Sequence, residues 1–378
     1  RTGDIDNRIF NRSSMNEGTR IHAFYQSKQD KNYLSEYLLG GTFYASGYTV
    51  FLEGRADGII VTGDFAIIDE IKSTVVELED YHTSQEAWHV GQAQCYALMY
   101  AMEKNLESVG VRLTYIHQTK DDKMVKYYVF TRAELEAKII SYLESYLSFY
   151  STIVRRIEKR NETAGTLNFP FLNFRKGQRE LAKYAYGIAK SGGTLFAEAP
   201  TGIGKTISTL YPFVRSFSDG VNEKIFYLTA KNSGKEAAWQ AVELMKSKGV
   251  ELSEVVVTAK DKICFCPGKA CNPDECPFAK DYYTKIRDVL TKSLARYDAF
   301  DPARVSRIAA AHHICPFELQ LDISLYVDII ICDYNYLFDP LVYFRRYFDN
   351  DASRMLALVD EAHNLVDRGR DMYSASID

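Results

Sequence analysis

Nine consecutive residues, Glu198 to Thr206 (E-A-P-T-G-I-G-K-T), have the makings of a phosphate cradle. Gly202 and Gly204, with Thr201 beside them, let backbone N–H groups turn toward an anion. Lys205 supplies a point charge for β- and γ-phosphates, and the Thr206 hydroxyl stands where Mg²⁺ would sit. A helix opening at this point adds its partial positive charge. Near the other end of the chain, Val359-Asp360-Glu361-Ala362-His363 closes an apolar run. There Asp360 would hold Mg²⁺ and Glu361 would polarise an attacking water.

A second constellation lies upstream. Asp57 stands in G-R-A-D-G, and Glu70 and Lys72 in D-E-I-K. Residues i and i+2 of a strand share a face, so Glu70 and Lys72 project together. The short turn at Thr62 to Asp64 lets Asp57 approach from the neighbouring strand. Two carboxylates and a main-chain carbonyl can hold a hard divalent cation, Mg²⁺ or Mn²⁺. Lys72 would orient the activated water or stabilise charge on phosphorus. Gln92 and Tyr96, at i and i+4, fall on one face of the next helix, and His22 lies on an upstream helix. This order (His22, Asp57, Glu70, Lys72, Gln92, Tyr96) resembles the PD-(D/E)xK nucleases of the RecB and CRISPR-adaptation type. The resemblance implies His22, Asp57 and Glu70 as metal ligands, Lys72 as the catalytic lysine and Gln92/Tyr96 as a DNA-positioning pair. Some relatives carry an iron–sulfur cluster in this domain. Here Cys95 is the single cysteine of the region, so none is expected.

A third constellation is thiol-rich: Cys264, Cys266, Cys271, Cys276 and Cys315. Five candidates compete for four places, and by count thiolates suit Zn²⁺ or an Fe–S cluster equally. The segment interrupts an ATPase pattern and leads into Tyr334-Asn335-Tyr336-Leu337. That arrangement is similar to the XPD/DinG type of superfamily 2 helicase, as is the A-x-x-G-x-G-K-T form of the cradle. The resemblance implies a [4Fe–4S] cluster on Cys264, Cys271, Cys276 and Cys315, with Cys266 spare, although Cys264 and Cys266 remain exchangeable. It also implies that Gln178 reads adenine of ATP with Arg175 alongside, that Thr229-Ala230-Lys231 touches the DNA backbone, and that His363 couples the ATP and nucleic-acid sides. Phe265, Phe278, Tyr282 and Tyr283, among Lys269, Lys280 and Lys285, suit either stacking on the bases of single-stranded DNA or packing of a small domain.

The elements that must position these groups are legible in outline. Residues 1–160 read as the nuclease domain, a mixed sheet flanked by helices, with strands at Tyr48 to Glu53, Ala56 to Val61, Phe65 to Lys72, Val111 to Gln118 and Lys126 to Thr131. A helix spans Glu86 to Glu103. Thr131 with Glu134 forms a capping box for a long helix to about Arg160, whose stripe of Leu135, Ile139, Leu143, Tyr146, Leu147 and Tyr150 reads as core. Residues 161–170 read as a linker. Residues 171–378 alternate strand and helix, which implies a RecA-like parallel sheet, incomplete at its end, with 259–318 inserted as the Fe–S domain. The P-loop would follow a strand at Thr194 to Ala197.

The 378 residues suggest two or three domains. A net charge of −4 excludes a global basic field, so nucleic-acid binding must rest on local patches. No run approaches the roughly 18 apolar residues of a membrane span, and no secretory signal is visible at Arg1, so a cytoplasmic protein is expected. The combined expectation is an ATP-dependent DNA helicase fused to a nuclease, acting on single strands or flaps 5′ to 3′. It would lack the second RecA-like domain, and so bind ATP weakly and not unwind DNA. The alternatives are a helicase whose nuclease-like domain only grips DNA, and a zinc-binding NTPase acting on RNA.

Overall fold

In the computed structural model the described residues are 3–8, 12–200, 202–342, 344, 347 and 353–375. They form two compact units, Arg1–Ser151 with Gly268–Arg287, and Thr152–Pro267 with Asp288–Asp378. The expected insertion 259–318 is therefore shared between units, part of it clustering with the first.

The first unit begins with α1 (Arg12–Ser27), then β1 (Tyr33–Ala45), β2 (Tyr48–Thr62) and β3 (Phe65–Thr74). Helix α2 (Leu78–Lys104) follows, then β4 (Ser108–His117), β5 (Lys123–Thr131) and α3 (Arg132–Thr166). The five strands lie in sequence order, β1-β2-β3-β4-β5. All neighbours are antiparallel except β3 and β4, which run parallel because α2 carries the chain back across the sheet. The fold is thus a mixed sheet with helical cover. Strand β1 was not foreseen, and the two strands expected between Tyr48 and Val61 are one.

The core of this unit joins Ile59, Ile68, Val111, Leu113 and Tyr115 of the sheet to Ala93, Ala97 and Leu98 of α2 and Leu135, Ile139, Leu143 and Leu147 of α3. The capping box is formed: Thr131 N donates to Glu134 Oε2 at 2.8 Å, and Glu134 N to Thr131 Oγ1 at 3.2 Å. Two expectations for α3 need correction. Its tyrosines do not continue the apolar stripe, since Tyr146 and Tyr150 are exposed and stack on each other at 5.7 Å. The helix also runs on to Thr166, so 161–166 is helix rather than linker.

The second unit contains α4 (Gln178–Ser191), α5 (Lys205–Arg215), β6 (Lys224–Leu228), α6 (Asn232–Lys246), β7 (Glu254–Val256) and α7 (Lys260–Ile263). Helix α8 (Tyr282–Arg296) leads to β8 (Ala299–Phe300), α9 (Pro302–His312), α10 (Pro316–Ser324), β9 (Ile329–Cys332), α11 (Asn335–Phe338), β10 (Met355–Val359) and α12 (Leu365–Met372). Its sheet is parallel throughout, in the order β10-β6-β9-β7-β8. Buried Ile225, Tyr227, Ile329 and Ile331 meet Leu210, Val214, Ala238 and Val242 of α5 and α6. Cys332, at the end of β9, is fully buried, as a small apolar residue would be.

The strand expected at Thr194 to Ala197 is not formed. Residues 192–200 are irregular, and Phe196 is 89 % exposed. Gly192 and Gly193 take φ of 74° and 101°, which sends the chain off any strand path after α4. β10 is consequently an edge strand. No described helix is long and apolar enough to cross a membrane.

A close backbone approach tests the register beside Asp57. A Cβ placed on Gly58 would lie 1.9 Å from the Tyr33 hydroxyl. Gly58→Ala is expected to lower stability by about 1–3 kcal/mol, read from the urea midpoint, because Tyr33 must leave its hydrogen bond to Asp69.

Candidate functional site

Two sites emerge, one in each unit. The first lies where two strand ladders are interrupted. Pairing of β2 with β3 runs from Thr62↔Phe65 to Gly58↔Asp69 and stops. Beyond it the Asp57 side chain takes over, its Oδ2 accepting from Ile71 N at 2.7 Å. The other oxygen, Oδ1, faces His22 Nδ1 at 3.9 Å. Glu70 projects from the same face of β3 as Lys72, and its Oε1 accepts from Lys72 Nζ at 2.5 Å. Lys72 Nζ also donates to Gln92 Oε1 at 3.3 Å, and Gln92 Nε2 to the Tyr96 hydroxyl at 3.4 Å. All six expected residues are therefore brought to one locality by α1, β2, β3 and α2.

Electrostatics marks this locality as costly. Glu70 is 1 % exposed, and burial pushes its carboxyl up to about 7 against the pull of Lys72. Burial likewise raises Asp57, with His22 opposing. His22 is lowered by burial despite Asp57, which favours the neutral imidazole that ligates metals. Burial also works against the Lys72 ammonium, but Glu70 and Asp57 outweigh it and hold its pKa above the usual value. Two carboxylates thus share one cation. Glu70 Oε2 is buried and has no hydrogen-bond partner. A buried carboxylate oxygen without a partner, on a residue that feels the Asp57 charge, is a donor of the kind that suits a hard divalent cation. Among the described residues, no group of three or more His, Cys, Asp or Glu donors already stands at metal-holding separation.

Behind this face, β3 is gripped through Asp69, which points to the opposite side of the sheet. It accepts from Arg112 Nε and Nη2 at 2.9 and 2.6 Å, Thr114 Oγ1 at 2.7 Å and the Tyr33 hydroxyl at 3.0 Å. Asp69 lies directly before Glu70, but nothing in the sequence distinguishes it from a surface acid.

The second site gathers residues far apart in sequence. Gly202 and Gly204 take φ of 81° and 86°, and α5 opens at Lys205. Thr201 lies outside the described residues. Lys205 Nζ pairs with Glu361 Oε1 at 3.0 Å, which holds that carboxyl below its usual range. Asp360 extends from β10, its N–H donating to Leu228 O at 2.9 Å, and burial followed by the Glu361 charge raises its carboxyl. Thr206 Oγ1 approaches the Tyr227 hydroxyl at 3.5 Å. His363 Nδ1 stands 3.6 Å from Glu361 Oε2.

Gln178 and Arg175 fold onto the loop. Gln178 Oε1 accepts from Arg175 N at 2.7 Å, and Arg175 Nη1 donates to the Gly202 carbonyl. A Cβ on Gly204 would meet Gln178 Nε2 at 2.4 Å, so the glycine is needed for contact as well as conformation. A cavity of 260 Å³ opens beside Asp360 and Glu361, lined also by Thr229, Lys231, Gly234 and Tyr334. The Tyr334 hydroxyl donates to the Asp360 carbonyl and ties the Y-N-Y-L segment to this site.

The cysteines divide between the units: Cys264, Cys266 and Cys315 in the second, Cys271 and Cys276 in the first. Cys264 Sγ accepts from Cys266 N at 3.4 Å. Cys315 caps α10, its thiol pushed up to about 12 by burial while the N–H groups of Glu318 and Phe317 pull the other way. Of the aromatics suited to base stacking or to packing, Tyr282 is fully buried.

With this geometry in view, known proteins provide a context. Residues 240–378 match the DEAD_2 family model. The matched span contains all five clustered cysteines and Asp360 to His363, and begins after the P-loop. The chain is 30% identical over 81 residues to the Fanconi anemia group J protein homolog of Gallus gallus, covering 21% of this chain and 6% of that one. It is 30% identical over 88 residues to the Regulator of telomere elongation helicase 1 homolog of Caenorhabditis elegans, covering 22% and 9%. The matches thus span less than a tenth of those relatives' own length. Among solved structures, an XPD helicase aligns with a TM-score of 0.35 at 17% identity, over 52% of this chain and 34% of that one.

A divalent cation taken up at the first site would be held in a pH-dependent way. Below about 7 Glu70 takes up a proton that a metal must displace. Mn²⁺ affinity measured by calorimetry is expected to fall about tenfold per pH unit on the acid side of that value, and to lose this dependence in Glu70→Gln, which binds more weakly throughout.

Proposed function

We propose that the chain is an ATP-dependent DNA helicase of the XPD-like, superfamily 2 kind, joined to a metal-dependent DNA nuclease. The observation that carries the ATPase half is the Lys205–Glu361 pair, which joins the P-loop to the D-E-A-H turn across 156 residues within a domain matched in part by DEAD_2. ATP entering the loop would draw Lys205 onto its phosphates. That exchange frees Glu361 to polarise the attacking water beside Asp360, so hydrolysis becomes a matter of positioning and charge. DNA as the track, single strands as its form and 5′ to 3′ as its direction follow from the family reading. A [4Fe–4S] cluster on Cys264 or Cys266 with Cys271, Cys276 and Cys315 belongs to the same proposal.

The nuclease half rests on the orphaned Glu70 oxygen beside Asp57, His22 and Lys72. A divalent cation there would supply an acidic water for attack on phosphorus. Lys72, held by Glu70 and Gln92, would meet the charge that develops on the phosphoryl oxygens. Tyr96, taking the Gln92 amide, fixes that amide so its oxygen faces Lys72.

Purified protein is expected to cut single-stranded or flapped DNA with Mn²⁺, and Lys72→Ala to lose at least about 100-fold of that rate while keeping its fold. No cleavage with any divalent metal would leave a DNA-gripping module on a helicase. Lys205→Ala should abolish ATP binding measured by fluorescent-nucleotide titration without changing cleavage in the absence of ATP. Anaerobically purified protein should be brown and contain about four irons per chain. A colourless, zinc-loaded preparation would favour the RNA-directed NTPase.

A further inference from the structure

The first site contains a strained residue that its proposed chemistry does not use. Glu36, the fourth residue of β1, has φ of 52°, in the left-handed region where a side chain other than glycine is rarely found. It stands opposite Asp57. Pairing of β1 with β2 includes Ser35↔Gly58 and Tyr37↔Ala56 but omits Glu36 and Asp57 between them. The main-chain carbonyl of Asp57 is taken up by Gln26 of α1, whose Nε2 donates to it at 2.8 Å. The same Nε2 donates to Glu36 Oε1, also at 2.8 Å. The two hydrogens of one amide thus tie the Asp57 backbone to the Glu36 carboxylate, on the helix that also carries His22. Arg55 Nη1 stands 3.8 Å from the other Glu36 oxygen. The Glu36 charge reaches both His22 and Asp57.

Strain of this kind persists where surrounding contacts over-determine it, and it clusters at functional sites. Here the twist at Glu36 breaks a ladder that would otherwise hold Asp57 as an ordinary strand residue. On the other side of β2, the Asp57 carboxylate replaces a ladder bond to Ile71. Asp57 is therefore held by side-chain bonds on both flanks.

We propose that Gln26 and Glu36 are positioning residues, a clamp that sets Asp57 in the geometry its metal-binding role requires. The proposal rests on the nuclease reading for its effect on cation binding, but not for the mechanical link between the clamp and Asp57.

Glu36→Gly removes the arm while suiting the backbone. Gln26→Ala removes the tie and leaves the backbone alone. Glu36→Gln retains an oxygen that can accept from Gln26. Three quantities are measured on the full chain: thermal midpoint, Mn²⁺ affinity by calorimetry, and hydrogen exchange of the Ile71 amide, which reports on the Asp57 carboxylate without any metal. Glu36→Gly is expected to keep or raise the midpoint, yet to weaken Mn²⁺ binding about tenfold or more and speed exchange at Ile71. Gln26→Ala should do the same to binding and exchange, and it carries the test if Glu36→Gly folds poorly. Glu36→Gln should stay within about threefold of the parent in both. Parental affinity and Ile71 exchange in both Glu36→Gly and Gln26→Ala would overturn the clamp, as would loss in Glu36→Gln equal to that in Glu36→Gly. If the parent binds no Mn²⁺ that Asp57→Ala removes, the metal reading has failed, and Ile71 exchange alone decides the clamp.

Discussion

A carboxylate that has lost its water and found only half its partners governs the first unit. Glu70 is enclosed by the sheet and α2, with one oxygen on Lys72 and the other unpaired. Such a group costs several kcal/mol unless charge or proton compensates it. The neighbouring residues bear on that cost. Lys72 stays an ammonium because two carboxylates face it, and His22 stays neutral because burial outweighs Asp57. Asp69, on the far face, shows the contrast. It is equally buried, but its hydrogen bonds to Arg112, Thr114 and Tyr33 leave it fully paired. The paired acid anchors β3 in register, and that anchor lets the next residue be held in an unfavourable state.

The second unit follows the same logic with an exchangeable partner. Lys205 and Glu361 each have a phosphate-directed or water-directed role in the proposed reaction, and in this structure each is the other's counter-ion. The pair is partly exposed, so it is weak and easily exchanged. Glu361 sits at φ of 50°, which turns its carboxylate back toward the loop. Tyr334 and Asn364 bind the main-chain carbonyls of this turn, Tyr334 reaching that of Asp360 and both reaching that of Glu361. The strained turn is thereby connected to the segment that follows β9.

Much of this was legible from short patterns because local geometry dictates them. The capping box at Thr131 and Glu134, the common face of Glu70 and Lys72, and the i, i+4 pair Gln92 and Tyr96 each follow from helix or strand periodicity alone. What failed needed partners that periodicity does not name. Thr194 to Ala197 has strand composition, but no neighbour pairs with it and two left-handed glycines precede it. Tyr146 and Tyr150 fit an apolar stripe by spacing, yet they are exposed while Leu143 and Leu147 of the same stripe are buried. Glu36 and Gln26 carried no signal, since a glutamate in an apolar strand and a glutamine on a polar helix are unremarkable until Asp57 is placed between them.

By itself, then, the sequence determined the chemical inventory: a phosphate loop, a D-E-A-H turn, a D…E-x-K pair and a cysteine series, with the helices and many of the strands that carry them. It did so because motif chemistry depends on residue types at fixed local spacing. Tertiary structure alone decided which of these groups meet and in what electrostatic state. That Glu70 is buried with a bare oxygen, that Lys205 closes on Glu361, and that Asp57 hangs between two broken ladders are consequences of desolvation and long-range pairing. Those energies are set by neighbours tens to hundreds of residues away, and no local pattern records them.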